Sequence, residues 1–170
     1  MSAKLIREII ERHLAPKQDF IYGFADLTNI IDRHFGDFQF GIAFGKRLND
    51  RIVDGIKKGP TLAYYSHYRQ INEELAFKSE RISKDLKTVG IETVCIEPTV
   101  TTRMLDTIYA SDLRTRLSHK MIATRAGLGW IGKSDLFISK EFGPRLRLAS
   151  ILTNAPLDCE VQTPSGCTFH

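Results

Sequence analysis

Cysteine is scarce: three residues in 170, an odd number that argues against a disulfide framework. Cys95 lies in an apolar run and reads as a core thiol, while Cys159 and Cys167 fall near the C-terminal end. No apolar run approaches the roughly 20 residues that a membrane-spanning helix needs. The opening Met-Ser-Ala-Lys-Leu-Ile-Arg-Glu passes straight into an amphipathic pattern and has no secretory h-region. The expected location is therefore the cytoplasm, with no membrane partner. Internal repeats, low-complexity tracts and Pro/Ser linkers are also missing, which points to one globular domain with a core of ordinary size. Neither charge sign dominates. The 24 Lys+Arg against 20 Asp+Glu leave +4, which permits an anionic partner without requiring one.

Hydrophobic periodicity orders the chain. Leu5, Ile6, Ile9, Ile10 and Leu14 make one helical stripe over 2–14, ended by Pro16. Residues 20–27 read as a strand, 29–34 as a helical turn, and 38–44 as a strand with one face buried. A short helix follows over 49–56. Gly59-Pro60-Thr61 then opens the longest helix, on which Leu62, Tyr65, Ile71, Leu75, Ile82 and Leu86 keep a helical period until Gly90 stops it. Residues 91–97 read as a strand, 99–106 as a polar active-face loop, 113–125 as a helix, and 135–139 and 145–153 as strands around a turn with Gly143. Helices and strands mix without βαβ alternation, so the expected class is α+β, a mixed and mainly antiparallel sheet covered by helices.

Residues 123–133, Ala-Thr-Arg-Ala-Gly-Leu-Gly-Trp-Ile-Gly-Lys, place three glycines around the only tryptophan. Glycine loses extra backbone entropy on folding, so such density implies special conformations or close approach. Either the segment is a tight helix-to-strand joint anchored by Trp130, or its amides are left bare for a flat ligand with Lys133 supplying charge. The spacing fits no dinucleotide or P-loop fingerprint. His119 is a candidate proton donor or a satisfied surface residue; no second His or Cys stands at ligand spacing, so no zinc site is expected. Tyr64, Tyr65 and Tyr68 read as half-buried core residues or as phenols aimed at a cleft. Arg114, Arg116, Lys120, Arg125 and Lys133 form a basic stretch, either a solvated face or a track for phosphates. Arg145 and Arg147 share one face of a strand, as an anion site or as partners for nearby carboxylates.

Ala126-Gly-Leu-Gly-Trp-Ile-Gly-Lys133, followed by Phe142-Gly143 and Leu152-Thr-Asn-Ala-Pro-Leu157, resembles the epoxyqueuosine reductase family and its less characterised iron–sulfur relatives. Ser118-His119-Lys120 brings the chain nearer to the latter. The resemblance implies an α/β domain similar to flavin-dependent nitroreductases and reductive dehalogenases. It implies a cobalamin whose pocket is lined by Gly127, Leu128, Gly129, Trp130, Gly132 and Lys133. It further implies two [4Fe–4S] clusters in a following ferredoxin-like domain, and removal of an epoxide oxygen from a modified tRNA base. Each cluster takes a Cys-x-x-Cys-x-x-Cys-type set of thiolates. Here Cys167 stands where the first ligand would fall, so the chain alone would bind no cluster. On this reading 1–157 is a cofactor-binding domain and 158–170 the start of a missing ferredoxin-like domain. Activity would then require an iron–sulfur donor domain or chain.

The family's proton-donor aspartate falls by count on Leu113, beside Asp112, and its Glu-Arg pair becomes His119-Lys120; Asp112 and His119 are the catalytic candidates. An open end implies an apolar patch near the C-terminus and a homo-oligomer. The competing readings are a non-catalytic corrinoid- or partner-binding domain or remnant, and a flavin-binding, nitroreductase-like enzyme.

Overall fold

The computed structural model describes residues 3–99, 115 and 117–159. Helix α1 (Ala3–His13) lays Ile6, Ile9 and Ile10 against the core, and Leu14 just after it joins them. Strands β1 (Phe20–Asp26) and β2 (Phe40–Arg47) form an antiparallel pair, followed by the short helix α2 (Asp50–Asp54). Asn49 caps α2, its side chain accepting from the Arg51 and Ile52 amides. The long helix α3 (Leu62–Thr88) starts at Thr61, whose hydroxyl accepts from the Tyr64 amide, and ends before Gly90 at φ +83°. Strand β3 (Thr93–Ile96), helix α4 (His119–Arg125), the hairpin β4 (Gly129–Ile131) and β5 (Phe137–Ser139), and strand β6 (Leu146–Thr153) complete the described elements.

The main sheet runs β1-β2-β6-β3 with every described neighbour antiparallel, which gives the α+β class expected. Both faces are covered. Phe24, Ile42, Phe44 and Ile151 point to α1 and α3, and Ile21, Ala25, Ala43 and Leu152 point to α4 and the hairpin. Thus β2 is buried on both sides and not on one. Its small residues are what let the second layer come close. A Cβ on Gly41 would stand 2.9 Å from Ile122 of α4 and 3.0 Å from Leu27.

Three further differences have physical reasons. The buried stripe of α3 begins at Ile71, while Leu62 is 86% and Tyr65 57% exposed. A helix of 27 residues is about 40 Å long, whereas the eight-residue strands it backs are about 27 Å. Its first turns therefore reach beyond the sheet, and Tyr64 supplies the packing there. Helix α4 begins only at His119, because Ser118 is extended and caps it through the Met121 amide; 113, 114 and 116 lie outside the described residues. Finally, the glycine segment contains a strand, β4, that periodicity does not show, since it is three residues long. Toward the described C-terminal end, Ala155, Leu157 and Cys159 pack on the α1–α3 core, and the exposed large apolar side chains among the described residues lie elsewhere; 160–170, where the expected patch would continue, lie outside them. Among the described residues no helix is long and apolar enough to cross a membrane.

Candidate functional site

The sheet has a notch. All eight residues of β6 pair with β2, but β3 pairs only with Ser150–Thr153 and then leaves the sheet at Glu97. The other edge of Leu146–Ala149 has no strand partner among the described residues. A cavity of about 300 Å³ opens there. Its apolar wall comes from Ile96, Leu117, Leu146 and Leu148, with Leu136 and Phe137 of the hairpin facing them. His119, Lys120 and Arg147 are among its polar lining residues, and the Arg147 side chain turns to the α3 face of β6.

His119 opens α4 and reaches across the notch. Its Nε2 lies 2.8 Å from the Glu97 carbonyl and its Nδ1 2.9 Å from Ser150 Oγ. A carbonyl only accepts, so Nε2 carries the proton, and the neutral ring then accepts at Nδ1 from the serine hydroxyl. Burial pushes the pKa below the ordinary histidine value, the Glu97 carbonyl opposes this, and the Arg147 charge adds to it. A neutral imidazole with both nitrogens engaged ties the end of β3 to β6. It holds no free proton for transfer in this arrangement.

Arg147 stands on a neutral network. Its Nε donates to Asn72 Oδ1 (3.0 Å) and its Nη2 to Thr99 Oγ1 (3.1 Å), Tyr68 Oη (3.3 Å) and the Pro98 carbonyl (3.5 Å). The guanidinium also lies 4.4 Å from the centre of the Tyr68 ring. Tyr68 and Asn72, one helical turn apart on α3, both bond Thr99 Oγ1, at 3.0 and 2.9 Å. Burial raises the Tyr68 pKa, yet the bond to Thr99 and the Arg147 charge hold it below the ordinary tyrosine value. Arg145 goes elsewhere, to Asp50 (3.1 Å) and Asp54 (2.7 Å) of α2. The two arginines therefore form no common anion site. Lys120 is paired with Asp135 of the hairpin turn at 2.6 Å.

The glycine segment has its own geometry. Gly127, at φ +71°, follows the α4 C-cap; its amide bonds Thr124 O, and the Leu128 amide bonds Ala123 O, which together make a Schellman stop. A Cβ on Gly129 would meet Ile138 O at 2.0 Å, because β5 lies directly on it. Gly132 receives the hairpin turn, its amide bonding Leu136 O at 2.8 Å. Leu128 is buried against β1, Trp130 pairs with Ile138, and Lys133 stands in the hairpin turn. Of the catalytic and cofactor-binding candidates that lie among the described residues, only His119 lines the cavity; Lys120 and Arg147, singled out for their charge, line it as well. Gly127, Leu128, Gly129, Trp130, Gly132 and Lys133 form its neighbouring hairpin without lining it. Asp112 and Cys167 lie outside the described residues. Cys95 and Cys159 are free thiols in different parts of the fold, and no group of three or more metal-ligating side chains occurs among the described residues.

Sequence reasoning named Tyr68 and Arg147 singly but did not join them to Asn72, Thr99 and Ser150. The available signal was an arginine placed inside an apolar strand, with two polar residues four apart on the facing helix.

No family model matches the chain. The epoxyqueuosine reductase of Listeria monocytogenes is 32% identical over 81 residues, 48% of this chain and 20% of that protein. Among solved structures, an epoxyqueuosine reductase with an epoxyqueuosine-modified tRNA-Tyr stem loop aligns over 96% of this chain, with TM-score 0.59 and 18% identity. The chain spans about half of that protein, 49%. A reductive dehalogenase described for B12-dependent dehalogenation aligns with TM-score 0.64 and 11% identity over 96% of this chain and 21% of its own. A C. elegans B12-trafficking protein, CblC, aligns with TM-score 0.56 and 12% identity over 98% of this chain and 76% of its own. The chain is thus similar to epoxyqueuosine reductase in sequence over about half its length, 48%, and shares its fold over nearly all of it, 96%.

Proposed function

We propose that this chain is the corrinoid-binding part of an epoxyqueuosine-reductase-like reductase, which needs an external iron–sulfur electron donor to turn over. The observation that carries the reading is the position of the cavity: it opens at the interrupted sheet edge of a fold shared with proteins named for B12 chemistry and B12 trafficking. About 300 Å³ is the lower end of small-ligand volumes, so the cavity would receive one side of a corrinoid and not the whole macrocycle. The remainder would lie over the hairpin turn, where Lys133 and the turn amides stand. When bound, a corrinoid supplies a cobalt centre that accepts and delivers electrons. The chain's own part is narrower. Leu136, Phe137 and Leu148 would exclude water from the apolar wall, and the His119 latch would keep the β3 exit closed on β6. Asp112 remains the proposed proton donor and Cys167 a proposed first cluster ligand. No set of described cysteines could hold a cluster.

The tRNA belongs to the structural neighbour. Here Lys120 is neutralised by Asp135, so the expected phosphate track loses one described member. A non-catalytic corrinoid carrier is the second reading. It is favoured by the trafficking protein, of which the chain covers 76%.

The test is direct. The purified chain is incubated with aquocobalamin and, separately, with FMN, then desalted, and its visible spectrum is recorded. Stoichiometric corrinoid absorbance is expected. A colourless protein, or one that keeps only flavin, overturns the proposal. Reduction of bound corrinoid by a low-potential ferredoxin separates the reductase reading from the carrier reading.

A further inference from the structure

We infer that the hairpin turn over 132–136 is a small flap at the rim of the cavity, and that Lys120 is its positioning residue, an ionic catch that holds the flap shut. The inference goes beyond the corrinoid reading and does not rest on it, since it is drawn from contacts within the chain. Burial marks out the flap. Residues 133–136 are exposed, whereas Phe137, the next residue, is 5% exposed and packs in the second core layer with Leu128. Strands β4 and β5 pair with each other and, among the described residues, with no strand of the main sheet. The hairpin is thus seated by Leu128 and Phe137, and its tip stands clear. One tip residue, Leu136, still lines the cavity while 56% exposed, so the rim of the opening runs through the turn.

The turn is closed from within and held from outside. Within it, the Gly132 amide bonds Leu136 O at 2.8 Å and the Asp135 amide bonds Gly132 O at 3.0 Å. Asp135 sits at φ +60°, a left-handed conformation that costs a residue with a Cβ energy. From outside, the Lys120 ammonium donates to the Asp135 carboxylate at 2.6 Å and to its carbonyl at 2.9 Å. One side chain therefore fixes the backbone and the side chain of the left-handed residue together. Lys120 stands in the first turn of α4, directly after His119, whose ring ties the β3 exit to β6. Consecutive residues of one helical turn thus hold two sides of the same opening, the strand exit and the hairpin rim. The two ties differ in kind. The His119 tie joins neutral groups, whereas Lys120 and Asp135 are an ion pair with side chains 36% and 79% exposed. An exposed ion pair is weak and is screened by salt, so the catch releases while the latch stays. Its release moves Leu136 off the rim and uncovers the apolar wall of Leu117, Leu146 and Leu148, which suits an apolar guest.

The test is solvent access to that wall in the full chain, read from paramagnetic broadening of the Leu117, Leu146 and Leu148 methyl resonances by a neutral gadolinium chelate. Between about 0.1 and 1 M sodium chloride the screening length shrinks from about 10 to about 3 Å. Broadening should rise about two- to five-fold across that range, the span of an exposed ion pair. Lys120→Met should reach the high-salt value at low salt and lose the salt response. Asp135→Asn, which tolerates the left-handed backbone and keeps the carbonyl, should fall between. In Lys120→Met the Gly132 amide should exchange with D2O about two- to five-fold faster, while the Lys140 amide at the hairpin base, bonded to Leu128 O, is unchanged. Methyl broadening that ignores salt in the wild-type chain overturns the flap, and that measurement needs no variant to fold. A salt response that persists undiminished in Lys120→Met overturns the assignment to Lys120. Faster exchange at Gly132 with unchanged methyl broadening reduces Lys120 to a stabiliser of the turn and overturns its part in access. Faster exchange at Gly132 and Lys140 alike means the hairpin loosens as a whole, which also overturns the flap. No corrinoid is added to these samples, so the outcome is separate from that of the cofactor test.

Discussion

Replacing Gly129 by alanine discriminates between a packing role and a ligand role for the glycine segment. The new Cβ would stand 2.0 Å from Ile138 O and 2.8 Å from both Ile138 C and Ser139 Cα, all backbone atoms that cannot rotate away. Carbon–oxygen contacts normally settle near 3.3–3.6 Å, so β5 must retreat by more than about 1 Å. That retreat breaks the ladder at the Gly129–Ser139 pair and strains the Lys140-to-Leu128 bond beside it. Backbone bonds at about 1 kcal/mol each and overpacking at about 1–3 kcal/mol give a loss of about 3 kcal/mol or more. For a chain of this size the thermal midpoint should fall by at least roughly 6–12 °C. Gly132→Ala is the control. Its Cβ would meet the mobile Cδ1 of Ile138 at 2.7 Å, so a rotamer change of about 1 kcal/mol absorbs it. Differential scanning fluorimetry of both variants, without any ligand, is the assay. If Gly129→Ala melts like the wild type yet no longer retains corrinoid, close packing is not the reason for this glycine.

Gly41→Ala should lose about 1–3 kcal/mol in urea melts, because Ile122 Cγ2 would lie 2.9 Å away. Ile122→Ala alone should lose about 2–5 kcal/mol, and the double variant less than the sum; strict additivity would mean the two sites do not touch. His119 has a depressed folded pKa, so its contribution to stability is complete above the unfolded histidine pKa of 6.5 and is lost as pH falls through the folded value. Between pH 7 and 5 the melting temperature of the wild type should therefore drop more steeply than that of His119→Gln, the remaining slope coming in part from His67, which burial also lowers; parallel slopes would rule out the neutral latch. Burial pushes the Cys159 thiol up to about 11 from 9.0, which leaves roughly a hundred-fold less thiolate at neutral pH. Peptide mapping after brief iodoacetamide treatment at pH 7.5 should find Cys159 labelled far more slowly in the native chain than in urea, and equal rates would contradict its burial.

The elements that bury long regular stripes were legible from the sequence. Ile6, Ile9, Ile10 and Leu14, and Ile71 to Leu86, announce their helices because a 3.6-residue repeat has no other economical explanation, and both stripes are buried. Leu62 and Tyr65 continue the same repeat but lie beyond the end of the sheet, a fact of length that periodicity does not encode. In β2, alternating small residues suggest one buried face, yet both are buried: Gly41 is pressed by Ile122 of α4 and by Leu27, and Gly45 by Leu146 and Leu148 of β6. The site was less legible. Three glycines around one tryptophan drew attention to the hairpin, but Gly127 answers to a helix stop, Gly129 to a backbone and Gly132 to a turn. The cavity lining joins residues from the β3 exit, α4, the hairpin and β6, and the Arg147 network beside it reaches α3, with Tyr68 and Arg147 79 positions apart. No local pattern reports such an assembly.

The recess owes its existence to a mismatch of strand lengths: β6 has eight residues and β3 only four. Nothing in the hydrophobic layers depends on that shortfall. Extending β3 by two or three residues would cap the bare rim and erase the opening while every helix kept its seat. The same scaffold can therefore be blank or receptive, and the choice lies in where a single outer strand turns away.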